Sequence, residues 1–385
     1  MRADAPVLQS SMSTDSLHIG PVPVPPDLSS PDAADFLDVV ELGNLVQRGV
    51  WGSDDFRRDG RQEHAAFRSN PYEERLILAA QRDGRIVGRA IIDLPLTDNL
   101  SACYLDLSVH PEARSEGVGG ALYAEAERYV RSRGRSTVMA WSEVSLTADG
   151  RAPGAPGRGE DLVPASGAGS FPSGDPAARM ALSRGFDLAQ VDRCSVLDLG
   201  SGRNAAADAF AAAQAAAGPD YEVLRWEGHC PDDRLDQYAR LRQAMSTDAP
   251  LGDLDLDEED WDGARVREAE NRLERGGGRS LVAAVLHRPT GELAGHTVLE
   301  RYEAAPAVAN QEDTLVLRAH RGHRLGMLLK AANLLALRSA WPGVERIYTW
   351  NAEENAFMLA VNVELGFVPA GWVAGWQKRL GPSAV

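Results

Sequence analysis

The chain of 385 residues has three cysteines, Cys103, Cys194 and Cys230, widely spaced, with no Cys-x-x-Cys pair and no histidine-rich neighbourhood. That excludes a disulfide framework and offers no zinc pattern. No apolar run approaches a signal-peptide core or a membrane span, so the chain reads as a protein of the reducing cytoplasm. Positive charge is also short, with 40 Lys and Arg against 56 Asp and Glu and a formal charge of -16. Nucleic-acid binders gather cations on one face, so this balance argues against such a partner. The hydrophobic and charged fractions, 44% and 25%, are those of a globular protein, and the length suits two domains.

The stretch "VHPEARSEGVGGAL", Val109 to Leu122, lies between an apolar strand, "CYLDLSV", and an amphipathic helix, "ALYAEAERYVRSRG". A helix N-terminus has unpaired N–H groups and a partial positive charge, and a turn without β-carbons lets an anionic phosphate approach them. Arg114, Gly117, Gly119 and Gly120 suit that task, although glycine also serves a tight strand-to-helix turn for backbone reasons alone.

The remaining pattern repeats itself. From Ser30 it runs helix, helix, a hairpin turning at Asp83-Gly84, the strand-turn-helix segment, then a strand at "STVMAW". A Pro/Gly/Ser-rich insertion at 147–176 precedes the helix "AARMALSRGF" and the strand "RCSVLDL". Beyond an Ala-rich stretch, the same order begins again at "YEVLRW". Gly88 and Gly295 are 207 residues apart, as are Asp106 and Asp313, Val109 and Val316, Arg114 and Arg321, and Gly119 and Gly326. Trp141 and Trp350 differ by 209, and Gly185 and Gly366 by 181, because the insertion belongs to the first copy only. The expected layout is a disordered tail over 1–27, a first domain over 28–199, a linker over 200–220 and a second domain over 221–385.

These residues resemble the GNAT superfamily of acyl-CoA-dependent N-acyltransferases, in a tandem arrangement. "RSEGVG" (Arg114 to Gly119) matches that family's R/Q-x-x-G-x-G/A turn, and "RGHRLG" (Arg321 to Gly326) matches except for Arg324 at the first glycine. The family's later helix is partly present in "NAFMLAVNVELGF", with Asn355 and Gly366-Phe367 in place and Asn362 at the tyrosine position; the first copy has Ala181 there. The resemblance implies an α/β (α+β) fold of two tandem domains, each a mixed, mostly antiparallel sheet flanked by helices. It implies that CoA pyrophosphate is held by Val109, Arg114, Ser115, Glu116, Gly117, Val118, Gly119 and Gly120 in one half. In the other, the corresponding residues are Val316, Arg321, Gly322, His323, Arg324, Leu325 and Gly326. Arg324 reads either as an added side-chain contact to phosphate or as the mark of a pocket that no longer binds CoA; a residue entering a helix can take ordinary helical dihedrals, so Arg324 does not by itself forbid the amide cradle.

The implied reaction is transfer of an acetyl or short acyl group from acyl-CoA to a primary amine of a small molecule, by direct attack in a ternary complex. Such chemistry needs a base for the amine proton. The candidates are Asp106, Glu143, Glu312 and Asp313, with Asn355 and Asn362 near the thioester. Strand alternation puts Glu312 and Asp313 on opposite faces, so one of them at most meets a given substrate. Asn355 equally suits a helix N-cap. The acidic run "DAPLGDLDLDEED" reads either as a lip that attracts a cationic amine or as a solvated loop. His320 and His323 lack further ligands, so no metal is expected. The acceptor would be the only partner, with the protein a monomer or homodimer. A non-catalytic acyl-CoA-binding scaffold and a protein N-acetyltransferase are the alternatives.

Overall fold

The computed structural model describes residues 17–146, 161–200 and 205–381. Its first half contains β1 (His18–Pro21), β2 (Glu73–Arg82), β3 (Arg85–Pro95), β4 (Ala102–Val109), β5 (Thr137–Ser145) and β6 (Asp187–Asp198). The second half contains β7 (Tyr221–Glu227), β8 (Gly278–His287), β9 (Glu292–Tyr302), β10 (Val308–Val316), β11 (Arg346–Ala352) and β12 (Val368–Arg379). All twelve form one sheet in the order β1-β2-β3-β4-β5-β12-β6-β11-β10-β9-β8-β7. Read from either edge, the two halves occur in the same sequence, which is what a duplicated unit produces around a pseudo-twofold axis. The pairings are antiparallel except for β4 with β5 and β10 with β11.

The final strands have changed places. β12 pairs with β5 from Arg379↔Thr137 to Gly371↔Ser145, and β6 pairs with β11 from Arg346↔Asp198 to Ala352↔Asp192. The first repeat is therefore closed by the second repeat's strand, which corrects the expectation of a first domain made of residues 28–199 alone. Pieces 1–199 and 200–385 expressed apart are expected to lack cooperative thermal transitions, because each loses the strand covering its innermost edge. Co-expression should restore the transition, and a sharp melt of 1–199 alone would refute this reading.

Helices cover both faces. On one lie α1 (Ala34–Trp51), α2 (Gly60–Phe67), α6 (Leu235–Asp248) and α7 (Gly263–Arg275); on the other lie α3 (Val118–Ser132), α4 (Pro176–Ser183), α5 (Ala206–Ala217), α8 (Leu325–Ala340) and α9 (Ala356–Leu365). Strand alternation explains the division. Ile77, Ala79 and Ile91 meet Phe36 and Val39 of α1, while Leu78, Ala80, Ala90 and Ile92 meet Leu122 and Ala126 of α3. Each fully buried Leu or Ile of this kind contributes about 2 kcal/mol. α2 packs on α7 across the pseudo-axis, with Arg61 Nε donating to the Arg275 carbonyl at 2.9 Å.

Three expectations for the connecting segments change. From residue 17 the supposed tail is part of the fold, since β1 pairs with β2 and buried Val22 bonds to Ile77 at 2.9 Å. The end of the insertion is also built in, because Phe171 is buried edge-on to Trp376; residues 147–160 lie outside the described residues. The supposed linker contains α5, whose Ala209, Ala213 and Ala217 are buried in the same core as Leu328 of α8. No described helix is long and apolar enough to cross a membrane.

Candidate active site

The first turn is formed as its residue types dictate. Ser115 and Gly117 have φ of 64° and 87°, and α3 starts immediately after. Arg114 Nε donates to the Val109 carbonyl at 3.3 Å and ties the turn to the end of β4. Val118 is buried, and Glu116 pairs with Arg82. Gly119 and Gly120 face α4: a Cβ on Gly119 would meet Met180 Sδ at 3.3 Å and Val109 Cγ2 at 3.4 Å, and one on Gly120 would meet the Arg184 guanidinium. Arg184 lies 5.6 Å over the Tyr123 ring. The cleft thus combines a helix N-terminus, two residues without side chains, and two guanidinium groups.

The second turn has the same backbone but different commitments. Gly322 and Arg324 have φ of 91° and 54°, so Arg324 is left-handed and does not take the ordinary helical dihedrals open to it. The turn's path requires that conformation at the position where the first copy has Gly117. Arg318 and Arg321 bind Asp248 at 2.8 and 3.0 Å, Arg324 pairs with Glu364, and the His320 ring contacts Tyr221 Oη at 3.0 Å. His323 stacks on Tyr221 with ring centroids 5.2 Å apart. Leu325 is buried, while Gly326 has open space around it. Among the described residues no group of side chains is arranged to hold a metal. A left-handed non-glycine residue costs about 1 kcal/mol, more than its exposed ion pair returns. Arg324→Gly is therefore expected to raise the melting temperature by ~2 °C. A fall in a calorimetric melt would count against the strain.

Between the sheet and α1, α2, α6 and α7 lies a cavity of about 1390 Å³. Its wall includes Val109, Arg114, Ser115, Gly117, Gly119 and Gly120 of the first turn, but none of residues 321–326. It opens where β4 and β5 part: their pairing ends at Leu105↔Ala140, and Asp106 and Glu143 lie beyond that point. Both line the cavity. Asp106 is held by Arg89 at 2.9 Å. Glu143 accepts from Trp51 Nε1 at 2.8 Å, and burial pushes its carboxyl above the ordinary range.

The same cavity reaches Glu300 and Glu312 of the second half. Glu312 is exposed to this cavity. The protein around the cavity, with the negative charge of Glu300 and Asp313, pushes its carboxyl above the ordinary range. β10 has an irregularity between Gln311 and Thr314, so Glu312 and Asp313 together oppose one residue of β9. The alternation rule consequently fails here, and both carboxyls face the α6 side. Asp313 is bound by Arg242 at 3.2 Å, whose guanidinium stacks 4.5 Å over Trp261. His296 stands where the first copy has Arg89; burial pushes its imidazole down to about 4, so Arg242 supplies the cation instead.

Other expected site residues lie elsewhere. Asn355 caps α9, accepting from the Met358 amide at 3.2 Å. Asn362 is buried, accepts from Lys330 Nζ at 2.7 Å and donates to Asn351 Oδ1 at 2.6 Å. Neither lines the cavity. Cys103 is a core residue whose thiol burial pushes up to about 12. The acidic run is not a lip: Asp248 is held by the second turn, the Asp255 amide bonds to Gln377 of β12, the strand that closes the first repeat, and the Asp257 amide bonds to Asn99 of the first half. It is a strap joining the halves.

The family model for the acetyltransferase (GNAT) family matches residues 39–151. A tandem GNAT protein from the clavulanic acid biosynthesis pathway, solved without acetyl-CoA, superposes with a TM-score of 0.73 at 26% identity, over 96% of this chain and 100% of its own. The chain is a tandem member of the GNAT superfamily. A GCN5-related N-acetyltransferase from Sphaerobacter thermophilus shares the fold, with a TM-score of 0.57 at 13% identity over 95% of this chain and 96% of its own. No curated protein matches the chain. As a GNAT protein it is an acyltransferase, of a family that generally uses acetyl-CoA. The first turn fits that group: a β-carbon at Gly119 or Gly120 would crowd the cleft between α3 and α4, and exposed Arg114 and Arg184 border it. Motif reading missed Arg58, Gln62 and Glu300, which line the cavity from a loop, a helix and an outer strand. The only signal for Glu300 was its register with Asp93, 207 residues earlier.

Proposed function

We propose that this GNAT protein holds acyl-CoA at its first turn and transfers an acetyl or short acyl group to a primary amine of a small molecule in the shared cavity. The observation that carries this reading is the continuity of the cavity from Arg114–Gly120 to Glu143. When bound, acyl-CoA supplies a thioester carbonyl as the electrophile. The amides opening α3, with Arg114 and Arg184, hold its anionic end. Glu143, whose carboxyl pKa is raised by burial, takes the proton from the substrate ammonium, and the freed amine attacks the thioester carbonyl; the C–N bond forms, the C–S bond breaks, and coenzyme A leaves as the thiol with a proton from solvent. The roof of α1, α2, α6 and α7 limits water and fixes both reactants for direct attack in a ternary complex. That roof favours a small acceptor over a protein N-terminus. The second turn, with its cations bound to Asp248 and Glu364, is assigned a supporting role.

Calorimetric titration of acetyl-CoA into the full chain, followed by thiol release with primary amines, tests the proposal. One site per chain and amine-dependent release are expected. Absence of binding, or binding without release across monoamines, diamines and amino sugars, would overturn it.

A further inference from the structure

We propose that the acceptor carries a second cationic group, which sits between Glu300 and Glu312 while its reacting amine meets Glu143. This rests on the acyl-transfer reading and deepens it.

The first observation is an imbalance between the repeats. Asp93 and Glu300 occupy the same register, 207 residues apart, as do Arg75 and Val282. Asp93 is bound by Arg75 at 2.8 Å, whereas the second copy has an apolar residue where that cation would be. Glu300 pairs in register with Asn310, two residues before Glu312, so the two glutamates are diagonal neighbours on one face. Among the described residues the Glu300 carboxylate accepts only a 3.4 Å bond from Tyr302 Oη, and the Glu312 carboxylate has no hydrogen bond or ion pair, its backbone carbonyl alone accepting from Gln311 Nε2 at 3.2 Å. The surrounding cations are engaged elsewhere. Arg242 of α6 is on Asp313 at 3.2 Å, Arg272 of α7 on Glu73 at 2.6 Å, and Arg58, from the loop before α2, on Glu63 at 3.1 Å.

The second observation is independent of the carboxyls. Gln62 is only 9% exposed, lines the cavity, and has a side-chain oxygen without a partner. Buried oxygens of Gln47, Asp93 and Asn310 in the same wall are likewise unmet, against two unmet donors, on Arg89 and Arg301. A buried acceptor left unpaired costs about 1–3 kcal/mol, so this wall calls for a ligand rich in N–H donors. A cation with several N–H groups satisfies the glutamates and these oxygens together. A zwitterion would bring a carboxylate against Glu300 and Glu312.

Binding also moves a proton. Beside Glu300 and Asp313 the Glu312 carboxyl is raised, so in the free protein it keeps its proton to higher pH than an ordinary glutamate. A cation beside it favours the carboxylate, so the carboxyl proton leaves to buffer as the ligand binds. Affinity for the ligand should accordingly rise with pH between 6 and 8.

The test is calorimetric titration of the full chain at pH 7 with propylamine, 1,4-diaminobutane and spermidine, in two buffers of different ionisation enthalpy. The two polycations are expected to bind at least tenfold more tightly than propylamine, with proton release. Glu312→Gln should cost at least tenfold in polycation affinity and abolish that release, and Glu300→Gln should also weaken binding, with thermal melts confirming that both fold. Equal binding of the three amines, or full affinity in Glu312→Gln, would overturn the inference. The thiol-release assay separates the two readings. Equal turnover of monoamine and diamines refutes the second cationic subsite and leaves acyl transfer standing. Polycation binding with proton release but no turnover of any amine supports the subsite and refutes the amine acyltransferase.

Discussion

Gly119→Glu is expected to abolish acetyl-CoA binding and turnover, with affinity falling by about a thousandfold, whereas Gly326→Glu leaves the affinity near that of the parent. The backbone of Gly119 is helical, so the effect does not come from forbidden dihedrals. It comes from position. The new side chain starts 3.3 Å from Met180 Sδ and must extend across the cleft between α3 and α4, bringing a carboxylate to the place proposed for a diphosphate. Two like charges about 5 Å apart at an effective dielectric of 20 repel by about 3 kcal/mol, and a diphosphate presents more than one charge. At Gly326 a Cβ has nothing within 4 Å, and the turn does not line the cavity. Calorimetric titration of both variants gives the comparison directly. If Gly326→Glu loses the site and Gly119→Glu keeps it, the second turn is the cradle and the assignment reverses.

The duplication and both turns were legible because their signals are local. Asp83-Gly84, with φ of 50° and 73°, is the hairpin its residue pair announces, and the 207-residue register carries through the turn residues. The exchange of β6 and β12 was not legible. Each strand satisfies its apolar and polar faces beside either neighbour, and partner choice depends on where the chain returns from the other half. The fate of Glu312 and Asp313 was hidden by the irregularity in β10, since one extra residue cancels the alternation used to separate them. The left-handed Arg324 was not legible because side-chain identity alone gave no sign of φ 54°; its alignment with Gly117, at φ 87°, was the available clue. The acidic run misled for a different reason. Its charge is real, but its backbone amides bond to Gln377 and Asn99, and no composition reveals which surface a loop will cross. The shared cavity is the most distant consequence of all, because it exists only once α2 and α7 meet across the axis.

Glu143→Gln is expected to lower kcat about 10²- to 10³-fold with a smaller change in the KM for acetyl-CoA. Gln is nearly isosteric and its amide oxygen can still accept from Trp51 Nε1, the 2.8 Å bond that orients the wild-type carboxylate. What it loses is the ability to receive a proton. In the wild type, kcat should rise with pH through the carboxyl's pKa, which burial places above the ordinary range; in the variant that limb should vanish. Stability gives the control that separates a base from a merely structural residue. A carboxyl whose folded pKa is raised favours the folded state while protonated, and that contribution declines as pH rises from the unfolded pKa through the folded one. Gln is uncharged throughout, so the variant should melt no lower than the wild type at neutral pH while its activity falls. A parallel loss of melting temperature and activity would instead assign Glu143 to packing against α1, and would leave Asp106, already bound to Arg89 at 2.9 Å, as the carboxylate at the same opening to examine next.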